Sequence, residues 1–142
     1  MNRFNNDGGE NVTRKKFEIQ PLPETFYPAP DGSQIRVLPT MTGGGLAHCT
    51  LEVGQISRAV AHKSIEEIWY FIEGHGKLWL KQDEQEDMID IYPHLSITIP
   101  AGTHFQFRNT GPFPLRFLIV TMPPWPGESE AYPVKGFWSV AE

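Results

Sequence analysis

From Gln34 onward this chain reads as about eight short β-forming runs, each cut off by glycine, proline or a polar turn. The runs are 34–39, 46–53, 67–73, 77–82, 88–92, 95–100, 104–109 and 114–122. Several alternate strictly. In 95–100, Leu95, Ile97 and Ile99 take one side and Ser96 and Thr98 the other. In 46–53, Ala47, Cys49, Leu51 and Val53 oppose His48, Thr50 and Glu52. A period of two residues belongs to strands with one buried face. Only residues 65–72 invite a helical reading, and their β-branched and aromatic content argues for a strand. Short strands at regular spacing predict a sandwich or barrel, and closure of the sheet removes exposed edges.

Composition narrows the rest. At 142 residues the chain is long enough for one core. Glycine and proline supply 13 residues each, which suits many turns. Residues 1–16 are polar and rich in asparagine and glycine, so they are read as a mobile tail ahead of a single domain over 17–142. Residues 17–33 carry prolines and aromatics and form an extended N-terminal arm. The C-terminal stretch holds Trp125, Phe137 and Trp138 among prolines, and it is expected to pack on the barrel or on a second subunit.

A net charge of −5 with no basic stripe argues against nucleic-acid binding. Cys49 is the sole cysteine, so no intrachain disulfide forms, which fits a reducing, cytoplasmic setting. The N-terminus lacks an apolar signal core, and no run is long enough to span a membrane. No phosphate-cradling loop precedes a helix, and no Cys-x-x-Cys pair points to structural zinc.

Two spaced patterns carry chemistry. In the first, Gly54 is followed after five residues by Val60, then Ala61 and His62, then after four residues by Glu67, and after six more by Gly74. In the second, His94 is followed after five residues by Pro100, then Ala101, Gly102, Thr103, His104 and, five positions later, Asn109. Over residues 35–122 these patterns resemble the two motifs of the cupin superfamily. Val60 stands at the family's first histidine and His94 at the glycine that opens the second motif. The Pro-Ala-Gly-Thr turn is one residue short.

The resemblance implies a cupin-type double-stranded β-helix, or jelly-roll barrel. It also implies one divalent metal (Fe, Mn, Ni or Zn) held by His62, Glu67 and His104. Two imidazoles and a carboxylate leave coordination positions open for a substrate or dioxygen. His104 can be aligned in two ways. If the short turn is absorbed locally, His104 faces the site and Gln106 shares its face. If Asn109 anchors the strand, Phe105 and Phe107 face inward instead, and His104, Gln106 and Arg108 outward. A slip of one residue exchanges the faces, so this choice decides the chemistry. His48 lies on the polar side of its run, as a rim residue or as a replacement for the ligand missing at Val60. Trp69, Phe71, Trp79 and Phe107 are read as core residues that also line an apolar pocket.

The family likeness implies a metal-dependent oxygenase, isomerase, decarboxylase or lyase acting on a small organic molecule. The alternative is a non-catalytic ligand-binding or sensor barrel with a degenerate metal site. Leu118, Val120 and Met122, opposite the other face of their run, further suggest a homodimer.

Overall fold

The computed structural model describes residues 16–140, so the tail expected over residues 1–16 lies, apart from Lys16, outside the described residues. Eight strands match the runs read from the sequence: β2 (Gln34–Thr40), β3 (Gly45–Leu51), β5 (Glu66–Glu73), β6 (Gly76–Gln82), β7 (Gln85–Ile91), β8 (Ser96–Ile99), β9 (His104–Asn109) and β10 (Leu115–Met122). Three shorter strands join them: β1 (Tyr27–Pro28), β4 (Val60–His62) and β11 (Ala131–Pro133). A 3-10 turn, Glu128–Glu130, precedes β11.

The strands form two antiparallel sheets. One runs β1-β2-β3-β10-β5-β8 and the other β11-β4-β9-β6-β7. Strands distant in sequence lie side by side, as the pairs β3–β10 and β4–β9 show. This is the jelly-roll arrangement. The ambiguous segment 65–72 lies almost wholly in β5, where Glu67, Trp69 and Phe71 are buried and Ile68, Tyr70 and Ile72 are exposed. Val53 departs from the expected alternation. Its strand ends at Leu51 and its side chain is half exposed.

The inner faces meet around Trp69. Its ring lies 4.7 Å from Phe117, 5.3 Å from Phe105 and 5.5 Å from Phe107. Such aromatic pairs contribute about 0.5–1.5 kcal/mol each beyond area burial. Asn109 closes the turn after β9. Its Nδ2 donates to the carbonyls of Leu51 and Phe113, and its Oδ1 accepts from the Gly111 amide. Gly74 turns β5 into β6 at φ +97°, and a Cβ there would lie 2.6 Å from the Pro114 carbonyl oxygen. Only glycine fits that approach.

His94 adopts φ 76° in the turn before β8. It stands where the second motif has glycine, and the backbone there is still the one glycine favours. A left-handed conformation costs a residue bearing a Cβ about 1–2 kcal/mol. Part of this is offset by a 2.8 Å hydrogen bond between the His94 Nδ1 and the Tyr70 hydroxyl. His94→Val is therefore expected to destabilise the fold by at least about 1 kcal/mol, while His94→Gly leaves it unchanged or more stable. Urea denaturation of both variants measures the difference.

Candidate functional site

A cavity of about 230 Å³ opens between the sheets near the ends of β3, β4, β5 and β10. Its walls are mostly apolar, with Val60, Trp69, Phe105, Phe117 and Trp125 among them, and its polar groups include Asp31, His62 and Glu67. Strand alternation places these side chains. In β4, Val60 and His62 share the inner face. In β5, Glu67 shares it with Trp69 and Phe71.

His62 and Glu67 come together as expected. Nδ1 of His62 lies 3.7 Å from Oε2 of Glu67, beyond hydrogen-bonding range, and has no other partner. His62 is 6% exposed, and its ring sits edge-on to Phe105 and Trp125, with ring centroids 5.3 and 5.2 Å away. Oε1 of Glu67 accepts a 2.7 Å hydrogen bond from the Trp69 indole. Burial pushes the Glu67 carboxyl up to about 8; the Trp69 bond opposes this, and the charges of Asp31 and Glu130 reinforce it. Burial lowers His62 to about 4 against the opposing charge of Glu130. At neutral pH both groups are uncharged.

His104 does not join them. Strand β9 pairs Phe105 with Val60 and His104 with Lys81, so Phe105 faces the cavity beside His62. His104 points to the opposite face and is half buried. The structure thus adopts the alignment anchored on Asn109, because the short turn carries no compensating bulge. Gln106 is buried on that same outer face. Its Nε2 donates to the carbonyls of Ser57 and Trp138, and its Oε1 accepts from the amides of Phe137 and Trp138. It is an anchor for the C-terminal segment, not a ligand. The segment comes so close that a Cβ on Gly136 would meet Gln106 Oε1 at 2.4 Å.

Three further expectations change. His48 is buried, at 8% exposure, on the outer face of its sheet beside Arg36 and Leu118, and it does not line the cavity. Burial and then the charges of Arg36 and Arg116 lower its pKa. Trp79 also lies on an outer face, because Leu78 and Leu80 on either side of it point inward; its indole donates to Glu86. Phe71 and Phe107 are core residues packed behind Trp69, which alone of the four expected lining aromatics touches the cavity.

Asp31, Trp125 and Glu130 complete the site, and sequence reading had not given them this role. Asp31 sits in an Asp-Gly-Ser turn, where Oδ1 accepts from both the amide and the hydroxyl of Ser33. Burial raises its carboxyl, opposed by the Ser33 bonds and the Arg58 charge. That turn is the one local signal that was available. Glu130 reaches across 65 residues to accept from the amide of Ile65 and from the amide and hydroxyl of Ser64. It thereby pins the loop joining His62 to Glu67. Burial works to raise its carboxyl, but these bonds outweigh it and hold it below the usual value.

The donor set does not suit the divalent metal implied by the motifs. Two of the family's ligand positions carry the hydrocarbon side chains of Val60 and Phe105. Among the described residues no group of three or more His, Cys, Asp or Glu is placed to hold a metal ion. His62 and Glu67 alone leave most of a coordination sphere without protein ligands.

The pair sets a pH dependence. The folded chain keeps Glu67 protonated to about pH 8, the unfolded chain only to about 4.5, so stability falls as pH rises through that window. His62 acts in the opposite sense between about pH 4 and 6.5. Above pH 6.5 the Glu67 slope stands alone of the two. Between there and pH 8 it is expected to remove about 2 kcal/mol. Comparison of wild type with Glu67→Gln by chemical denaturation across this range isolates the slope, which the variant should lack.

Residues 47–121 match the Cupin domain family. An uncharacterized protein of Methanocaldococcus jannaschii is 33% identical over 107 residues, covering 72% of this chain and 82% of that protein. Among solved structures, an uncharacterized Klebsiella pneumoniae protein with a double-stranded β-helix domain superposes with a TM-score of 0.64 at 16% identity, over 85% of this chain and all of that one. Lactobacillus farciminis oxalate decarboxylase, in complex with formate, superposes with a TM-score of 0.64 at 18% identity, over 72% of this chain and 31% of that one. The matched family, the relative and the two-sheet barrel agree with the spaced glycines, His62 and Glu67: this chain belongs to the cupin family.

Proposed function

We propose that this cupin binds one small, largely apolar organic molecule in the cavity between its sheets, and that it does so without a metal. The observation that carries this reading is the Val60–Phe105 pair. These side chains fill the places of two imidazoles and extend the apolar wall next to His62. A concave, aromatic-lined cavity with a few converging polar groups is the usual form of a small-ligand site. Trp69 and Trp125 both border it, so their fluorescence reports occupancy.

A second reading, a metal-dependent enzyme on a small organic substrate, draws on the 3.7 Å approach of His62 to Glu67 and on the oxalate decarboxylase among the fold neighbours. Elemental analysis separates the two. Protein prepared without chelator, then incubated with Mn, Fe, Ni or Zn and desalted, is expected to retain far less than one equivalent. Retention of one equivalent that disappears in both His62→Ala and Glu67→Ala favours the enzyme.

We further propose a homodimer. The outer face of the larger sheet exposes Ile68, Tyr70 and Ile72 on β5, next to Leu118 and Val120 on β10. A contiguous apolar face of this kind suits self-association. Light scattering is expected to give twice the chain mass for wild type and a shift toward the chain mass for Ile72→Glu. The single thiol, Cys49, is buried and fits a cytoplasmic setting, and among the described residues no helix is long and apolar enough to cross a membrane.

A further inference from the structure

The polar groups of the cavity are unusually one-sided. Asp31 and Glu67 contribute carboxyl groups, His62 contributes an imidazole nitrogen, and among the described residues that line the cavity there is no lysine or arginine. Arg58 lies near Asp31, donating to the Pro30 carbonyl, but it is exposed and is not part of the lining. Each carboxyl group has one oxygen engaged. Oδ1 of Asp31 is taken by Ser33, and Oε1 of Glu67 by Trp69. The other oxygen of each has no hydrogen-bond partner among the described residues. Nδ1 of His62, on a side chain 6% exposed, is also unpartnered, next to Glu67 Oε2. A buried nitrogen left without a partner is costly unless something else supplies one.

Aromatic rings share the cavity with this group. Trp69, Trp125, Phe105, Phe117 and Tyr27 all border the cavity. Aromatic rings attract cations through their quadrupoles, and a buried carboxyl group ionises where a cation stands beside it. An anion would meet two carboxyl groups with no facing cation. A primary ammonium carries three N–H donors; Oε2 of Glu67 and Nδ1 of His62, 3.7 Å apart, offer it two acceptors, and the Asp31 carboxyl lies in the same cavity lining. An apolar cavity of about 150 Å³ takes a benzene ring, so one of about 230 Å³ has room for a ring with a short chain.

From this geometry we infer that the ligand is a small organic cation, an arylalkylamine whose ammonium group sits at Glu67 and His62, with the Asp31 carboxyl as further negative charge in the cavity, and whose ring packs on the tryptophans. The inference rests on the proposed ligand-binding role of the cavity and names its ligand class. It sets this chain apart from a fold neighbour that acts on oxalate, a dianion for which the cavity offers no counter-charge.

The test titrates the full chain, in EDTA so that no metal bridges, with 2-phenylethylamine, 2-phenylethanol and 3-phenylpropanoate. Binding is read by calorimetry and by tryptophan fluorescence at about pH 8, where the amine remains charged. The amine is expected to bind at least about tenfold more tightly than the alcohol, with the carboxylate weakest. Glu67→Gln should remove most of the amine's advantage over the alcohol, and Asp31→Asn, which keeps an acceptor for Ser33, part of it. Equal or tighter binding of the alcohol or the carboxylate overturns the inference, as does an amine preference that survives both variants. Failure of the amine to bind also overturns it. The wider ligand-binding reading fails only if none of the three compounds is bound.

Discussion

Strand β9 has two faces, and both are committed. On the inside Phe105 and Phe107 pack against Trp69. On the outside Gln106 satisfies both donors and both lone pairs of its side-chain amide against Ser57, Phe137 and Trp138. Shifting the strand by one residue would bury His104 and Gln106 among rings and expel two phenylalanines. It would break four hydrogen bonds to backbone groups at the same time. Unpaired buried amide groups cost about 1–3 kcal/mol each, so the register is strongly specified. What the cavity contains follows from it. Phe105 stands beside His62, and the site has two potential ligands in place of three.

The same burial governs the electrostatics. Glu67 and His62 face each other in surroundings that favour the uncharged form of both. Glu130, held by backbone amides of the intervening loop, stays ionised nearby. Desolvation is the largest cause of the shifts at Glu67 and His62, and the hydrogen bonds from Ser64 and Ile65 decide the state of Glu130. A site with neutral partners in a largely apolar cavity and one fixed charge behind it is poised to respond to a ligand's own charge.

The fold was readable because its evidence is local. Alternation over 95–100 names the buried face directly, and the motif glycines mark turns such as the one at Gly74. His62 and Glu67 were legible from their spacing. His104 was not, since a turn one residue short is compatible with two registers, and the interactions that choose between them come from Phe137 and Trp138, some thirty residues away. Gln106, Glu130 and Trp125 owe their roles to contacts of that kind, which no window along the chain reveals. Strand β4 was missed for a simpler reason: three residues are too few for a period to show. The face of Trp79 is not legible from its apolar character, because its neighbours Leu78 and Leu80 occupy the inner side.

Strand β7 closes one side of the smaller sheet and, among the described residues, has a neighbour only at β6. Its free backbone groups are a template onto which another extended chain could add. The strand carries Glu86, Asp87 and Asp90 in seven residues, with Asp90 paired to Lys77 of the adjoining strand. Two molecules meeting along this border would bring acidic rows together and desolvate them. Repulsion therefore guards the rim against endless strand-by-strand growth, and a barrel rich in aromatic residues can remain dispersed at high concentration.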